Sequence, residues 1–300
     1  MNGDAAIHIA QIVFIFSIIF FILLNNTMVL LVLLKWKDLN PVSSILMRSL
    51  AVSDLLVGVL LMFSFVSAIY EDWIFGSALC KITGTLTFSA TAMTLYIIAL
   101  SSCDRYVYIF FPLRHPNIIT THRIYVSLAL FSLISFSLSA SFIPHLQYIP
   151  HYYQCHVDIS RSEDFFLQAI IVFLVWPLPS ITVTVCCYTK VYLLARKQRR
   201  IVERQTIPSV QLSQVSKDKR NLQTVLILTL AFLFCWTPLV ISTCVVIFSG
   251  DDGVNHYLEF MLLYIAYCNS FFNWFVYYFT QPFFRKGQKK LLKFPCILEQ

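Results

Sequence analysis

Two carboxylates and one guanidinium stand where this chain carries almost no other charge. Asp54 is the single charged residue in the apolar stretch 49–70, and Asp104 and Arg105 sit side by side just after the uncharged run 82–103. An ionisable group at membrane depth is costly, so it marks an ion site, a proton relay or a switch. Asp54 has potential oxygen-bearing helpers at Asn26, Thr94, Asn269, Ser270 and Asn273. Together these suit a small cage for a sodium ion or an acid proton. They equally suit a hydrogen-bond network that only holds helices together. Arg105 can pair with Asp104 on its own helix and with Asp218 at the base of a later one. A charge pair bridging two helices is a latch, closed while the helices are close and open when they part. The plainer reading of Arg105 is a basic anchor at the inner end of a span. His145, His151 and His156 follow one another in a single outer segment, but their spacing fits no standard metal motif, and they read as solvated loop residues. No cluster of His, Asp or Cys with ligand spacing supports an enzyme.

The elements that must position these groups follow from composition. The chain has 300 residues, 58% hydrophobic and 12% charged, where a soluble domain carries about 25% charged residues. Six stretches hold no Asp, Glu, Lys or Arg at all: 11–34, 82–103, 124–147, 165–189, 221–250 and 260–284. Each exceeds the roughly 20 residues needed to cross a bilayer as a helix, and 49–70 makes a seventh. Strands of a barrel would be shorter and would alternate. The spacing therefore predicts helices at about 11–34, 43–70, 79–110, 123–147, 164–195, 219–248 and 256–280, in one membrane domain over 1–300. Of the 22 Lys and Arg, only Lys81 and Arg161 then fall on the side of the amino end. The positive-inside rule places that end, about residues 1–10, outside the cell, with a cytoplasmic tail at 281–300. The expected location is the plasma membrane, as a multi-pass protein. The first run is too long, and lacks the leading bases, for a cleaved signal peptide. The net charge of +7 belongs to the inner face. It suits anionic lipid or an acidic partner groove and speaks against nucleic acid.

The loop at about 196–218 is basic and holds Thr206, Ser209, Ser213 and Ser216. In FFRKGQKKLLKF, 283–294, apolar residues alternate with bases, as in a helix lying in the interface. Of nine cysteines, Cys80 and Cys155 both face the oxidising outer side, so a disulfide is the natural reading and two free thiols the other. Cys296, after the amphipathic segment, is a candidate for palmitoylation or an unmodified tail thiol.

The motifs then add a resemblance. N-N-T-M-V at 25–29, L-A-V-S-D at 50–54, W-I-F-G at 73–76, Cys80, D-R-Y at 104–106 with Pro112, the loop Cys155, F-L-F-C-W-T-P at 232–238 and N-W-F-V-Y at 273–277 occur in order, each on its helix. The chain resembles a rhodopsin-like, class A, G-protein-coupled receptor from about residue 20 to 290. L-A-V-S-D-L-L-V-G and C-Y-T-K-V-Y-L-L-A-R look similar to amine and trace-amine receptors, and D-R-Y-V with P-L-R-H-P-N-I-I-T also looks like odorant receptors. The resemblance implies an all-α membrane protein, a seven-transmembrane helix bundle with a short amphipathic eighth helix. It implies a sensor of an extracellular small molecule that activates a heterotrimeric G protein, with membrane lipids as its surroundings and no cofactor beyond an allosteric sodium ion.

By that resemblance, Asp104, Arg105, Tyr106, Asp218, Tyr188, Asn273 and Tyr277 form the coupling switch. Phe232, Trp236 and Pro238 form the toggle, with Pro238 removing one helical hydrogen bond to leave a hinge. Asp54, Thr94, Asn269, Ser270 and Asn273 resemble the sodium pocket. The expected ligand pocket is Thr87, Phe88, Thr91, Val172, Phe173, Trp176, Trp236, Leu239, Val240, Glu259, Leu263, Tyr264 and Tyr267. That lining is apolar and aromatic with a few hydroxyls. Thr87 stands 18 residues before Arg105, where amine receptors resemble one another in an aspartate. A neutral or weakly polar ligand follows, although Glu259 near the mouth suits a cation. The sequence departs from the family at Trp274, where a proline is usual, and at Ser132, near the usual tryptophan of the fourth helix. These departures give a second expectation, a receptor-like protein whose signalling is lost or silent. A light-driven pump would need a lysine in the last span, and none lies between Glu259 and Arg285. A transporter would show paired repeats, and none is visible.

Overall fold

The computed structural model describes residues 3–35, 39–157, 177–202, 209–249 and 255–293. In chain order its helices are α1 (Gly3–Lys35), α2 (Pro41–Tyr70), α3 (Gly76–Phe110), the single turn α4 (His115–Ile118) and α5 (Thr121–Ala140). A hairpin of β1 (Leu146–Ile149) and β2 (Gln154–Val157) follows, then α6 (Pro177–Val202), α7 (Ser209–Ser249), α8 (His256–Thr280) and α9 (Pro282–Lys293).

Local chemistry starts several of these helices. Pro41 follows Asn40, whose side chain accepts from the Val42 amide at 2.9 Å. Thr120 accepts from the Arg123 amide at 3.3 Å. Asn255 accepts from the amides of Tyr257 and Leu258 at 3.0 and 3.3 Å. Each side chain satisfies a backbone donor that the first turn leaves unpaired.

Among the described residues, α1, α2, α3, α5 and the 223–246 stretch of α7 are long and apolar enough to cross a membrane. α8 is 25 residues long, but its buried face carries Glu259, Asn269, Ser270 and Asn273 among its apolar residues. The uncharged run expected for the fifth span starts at 165, and α6 is described only from Pro177 onward. Large apolar side chains face outward, among them Val13, Phe16, Phe20 and Leu24 on α1, Leu130 and Leu133 on α5, and Phe234 on α7. Without water outside, such a surface costs nothing; it is the lipid-facing side of a bundle.

Boundaries differ from the expectation in three places. α1 begins at Gly3 rather than near 11, because His8 and Gln11 are tied to other elements: His8 Nε2 lies 2.9 Å from the Ala68 carbonyl, and Tyr153 donates to Gln11 at 3.1 Å. α5 ends at Ala140 rather than near 147, since Pro144 breaks the chain into a 3₁₀ turn at Ile143–His145. α7 begins at Ser209 rather than near 219, so Ser209, Ser213 and Ser216 lie on helical backbone and not in a loop. Thr206 lies outside the described residues.

α3 is the central element. It packs on α2, α5, α6, α7 and both strands. Its Gly84 explains how closely the hairpin sits: a Cβ there would come within 3.1 Å of the Cys155 carbonyl and 2.9 Å of Leu146 Cδ2. The Cys80–Cys155 disulfide fixes β2 to the start of α3 across 75 residues of chain. On the α3–α5 face Tyr96 stacks on Phe131 at 4.5 Å, and Ser132 donates to Met93 Sδ at 3.5 Å.

Candidate functional site

Three polar layers lie along the bundle. At the inner end, α3 presents Asp104 and Arg105, 1% and 8% exposed. Arg105 donates through Nε to Asp104 Oδ2 at 2.9 Å, and its second nitrogen bonds the same oxygen. It also donates to Ser43 Oγ on α2 at 2.8 Å. The other Asp104 oxygen meets His115 Nε2 at 2.8 Å. The turn Phe111–Arg114 makes that contact possible by folding α4 back under α3, with the His115 amide bonded to the Phe111 carbonyl at 2.8 Å. A buried ion pair with both oxygens satisfied is costly to break by removing one partner. Arg105 and Tyr277 line a cavity of ≈ 180 Å³ together with Ser43, Tyr108, Thr224 and Gln281. Tyr188 stands beside Ser102 and Arg105, and Lys190 Nζ lies 5.6 Å from the Tyr106 ring. The Asp218 side chain lies outside the described residues, so the expected second partner of Arg105 is not placed; Ser43, which bonds Arg105, and His115, which bonds Asp104, are the partners that sequence reasoning missed.

At mid-depth, Asp54 is fully buried on α2. Asn273 of α8 donates to its Oδ2, and the Ser270 hydroxyl lies beside the carboxylate. Asn26 of α1 donates to the Ser270 carbonyl at 2.7 Å and to the Ile22 carbonyl at 3.0 Å. Thus α1, α2 and α8 meet at one polar knot. Thr94 and Asn269 are buried too, and among the described residues neither bonds Asp54. The Asp54 Oδ1 and Asn26 Oδ1 atoms are buried and accept no hydrogen bond. Two buried oxygens with spare lone pairs are the donor type that a hard cation takes. Next along α8, Trp274 stacks on Tyr278 at 5.1 Å, and the helix runs unbroken through the position where the family has proline.

At the outer end the hairpin forms a lid over α3, α7 and α8. Tyr264 donates to the Tyr152 carbonyl at 3.0 Å, and Gln154 donates to the Tyr267 hydroxyl at 3.0 Å. Beneath lies a cavity of ≈ 10 Å³ lined by Gly84, Thr87, Phe88, Thr91, Cys155, His156, Trp236, Leu263 and Tyr267. Trp236 stacks on Phe232 at 5.7 Å and meets Tyr267 edge-on at 6.3 Å, two residues before Pro238 inside α7. Thr87 donates to its own helix, at the Thr83 carbonyl, 2.8 Å away. Of the other residues expected in the pocket, Tyr264 is fully buried under the hairpin, Leu239 packs against that cluster, and Val240 is 44% exposed. Glu259 does not line that cavity and instead contacts His151 and His256. Val172, Phe173 and Trp176 lie outside the described residues, as does Cys296.

His156 corrects the expectation of solvated loop histidines. Its ring sits 5.0 Å from Phe88 and 5.4 Å from Tyr152. Burial pushes its pKa down to about 4, against a weak opposing bond from its Nδ1 to the Val157 carbonyl. The unfolded chain takes up this proton near pH 6.5, the folded chain only near 4. Stability is therefore complete above 6.5 and falls as pH drops toward 4, by at most about 1.4 kcal/mol per pH unit. Melting curves of the purified protein between pH 7 and 5 are expected to show this loss, and His156→Phe to flatten it. Equal slopes in both proteins would refute the assignment.

A family model described as 7 transmembrane receptor (rhodopsin family) matches residues 25–277. The chain belongs to the rhodopsin family of seven-transmembrane receptors. It is a multi-pass membrane receptor and not an enzyme. It is similar to trace amine-associated receptor 7c of Rattus norvegicus, 29% identical over 89% of this chain and 78% of that one. It is also similar to trace amine-associated receptor 7a of Mus musculus, 28% identical over the same shares. In three dimensions it resembles squid rhodopsin, with a TM-score of 0.85, 20% identity and coverage of 98% of this chain and 87% of that one. That likeness supports the bundle with a short helix after it. The trace-amine-like character read from the motifs agrees with these relatives.

Proposed function

We propose that this receptor binds an extracellular small molecule under the hairpin and activates a heterotrimeric G protein at the inner cavity. In this reading it sits in the plasma membrane with its amino end outside, as one unit over 1–300. The observation that carries the reading is Arg105, buried at the wall of the inner cavity and held by Asp104 and Ser43. A guanidinium stored there is a latched contact for a partner. A ligand that binds one arrangement of the bundle better shifts the population toward it.

The relatives are named for trace amines. This chain has Thr87 at the position where amine receptors resemble one another in an aspartate, and no carboxylate lines the outer cavity among the described residues. Phe88, Trp236, Leu263 and Tyr267 supply apolar and aromatic surface, while Thr91 and His156 supply polar handles. These favour a neutral or weakly polar ligand, of the kind a chemosensory receptor detects. The Asp54 layer would hold a sodium ion as a modulator, with Asp54, Asn26 and Ser270 as its oxygen sources. Cys296 is the site for a lipid anchor beside α9.

The test is basal G-protein activation across all G-protein families, with wild type and Arg105→Ala at matched surface levels. Basal signal in the wild type is expected to fall at least about tenfold in Arg105→Ala, the loss of a charged contact worth 1.4 kcal/mol or more. An unchanged signal would sink the role of Arg105. Trp274 favours the second reading, a silent receptor, because it removes the helix break that proline supplies. In that case neither chain signals, and Trp274→Pro is expected to restore activity.

A further inference from the structure

Where the hairpin meets the start of α8, three side chains from two elements converge. His151 belongs to the 3₁₀ turn Pro150–Tyr152 between the strands; His256 and Glu259 occupy the first turn of α8. Residues three apart share a helix face, so His256 and Glu259 point the same way. The hairpin brings His151 over them, and the two imidazoles stack at 4.4 Å; because each nitrogen lone pair lies in its ring plane, sharing one metal ion requires one ring to turn. His151 Nε2 lies 3.2 Å and His256 Nδ1 3.5 Å from the same oxygen, Glu259 Oε2. All three ligand atoms fall within 4.8 Å of one another.

We propose that His151, His256 and Glu259 form a binding site for a zinc ion that clamps the hairpin to α8. The distances carry the argument. A charge-assisted hydrogen bond between imidazolium and carboxylate closes to about 2.7–2.9 Å; the His256 contact is a long hydrogen bond and the His151 contact is at the upper end of the ordinary range. A tetrahedral zinc with bonds of about 2.0–2.1 Å holds its ligand atoms about 3.3 Å apart, which both separations match. The donor set selects the metal class. Two imidazole nitrogens and one carboxylate oxygen suit a borderline divalent transition ion, whereas calcium and magnesium take oxygen ligands. Exposure supplies a route in: the His256 side chain is 58% exposed, His151 27% and Glu259 11%. Three protein ligands with one side open to solvent leave a fourth position for water.

The clamp would add a third tie between the hairpin and α8, beside the Tyr264–Tyr152 and Gln154–Tyr267 bonds. It does not depend on whether the receptor signals.

The experiment uses the purified full chain in detergent, with any polyhistidine tag removed. Zinc chloride is titrated against a chromophoric chelator, and the melting temperature is recorded with zinc and with magnesium. The expected result is one zinc per chain, a higher melting temperature with zinc but not magnesium, and at least about tenfold weaker binding in His256→Ala and in His151→Ala. His256 is largely exposed, so its replacement leaves the fold intact. Glu259→Gln keeps the side-chain size and tests the carboxylate separately. Wild type that binds no zinc, or binding that persists unchanged in both histidine variants, would overturn the site.

Discussion

Cys155→Ser is expected to strip most folded receptor from the cell surface. The Cys80–Cys155 bond closes a segment of 75 residues, and a cross-link of that span constrains the unfolded chain by about 4 kcal/mol. A native protein has a margin of only about 5–15 kcal/mol. The bond also holds β2 against α3 at Gly84, where the hairpin carbonyl already approaches closely. Its loss frees the lid on which Gln154 and Tyr152 meet α8. Surface labelling of intact cells, with Cys80→Ser and the double variant alongside, is the measurement. Both single variants and the double are expected to fall together, several-fold below wild type, since a stability loss of even about 1–2 kcal/mol changes cellular abundance several-fold. Near-normal surface levels in all three would show that packing alone seats the hairpin.

Asn273→Leu is expected to destabilise the bundle by about 2–3 kcal/mol, the scale of a lost hydrogen bond to a charged group. Asp54 is fully buried and Asn273 donates directly to it. Leucine at 273 leaves the carboxylate at membrane depth with less compensation. Asp54→Asn in the same chain removes the charge, so the double variant is expected to recover most of the loss. Thermal unfolding of the four solubilised proteins closes the cycle. If the destabilisations of Asn273→Leu and Asp54→Asn simply add in the double variant, the pair carries no coupling.

Charge scarcity made much of this legible. In a chain this apolar, Asp54, Asp104 and Arg105 announce themselves, and the uncharged runs announce the helices. Partners brought by folding back were not legible. His115 reaches Asp104 only because the turn at Phe111–Arg114 reverses the chain, and nothing in P-L-R-H-P specifies that. His151 and Glu259 are distant in sequence, so no spacing rule pairs them. His156 reads as a loop residue because its burial depends on the hairpin folding inward. The start of α7 was missed for another reason. The apolar pattern ends at the membrane surface, but helical backbone needs no bilayer to continue, and S-V-Q-L-S-Q-V-S-K-D contains no proline or glycine to stop it.

The space under the hairpin, ≈ 10 Å³, is about enough for one water. A small-molecule ligand needs a cleft of several hundred cubic ångströms. On the proposed reading, association there requires the described cavity to open, and the observed rate is then expected to level off as ligand concentration rises. The apparent dissociation constant is the intrinsic one divided by the open fraction. With the strand Gln154–Val157 anchored by its disulfide, the wall that can open among the described residues is the one formed by Trp236 and Tyr267. A substitution that loosens that side, with no ligand contact of its own, would register as a gain in affinity.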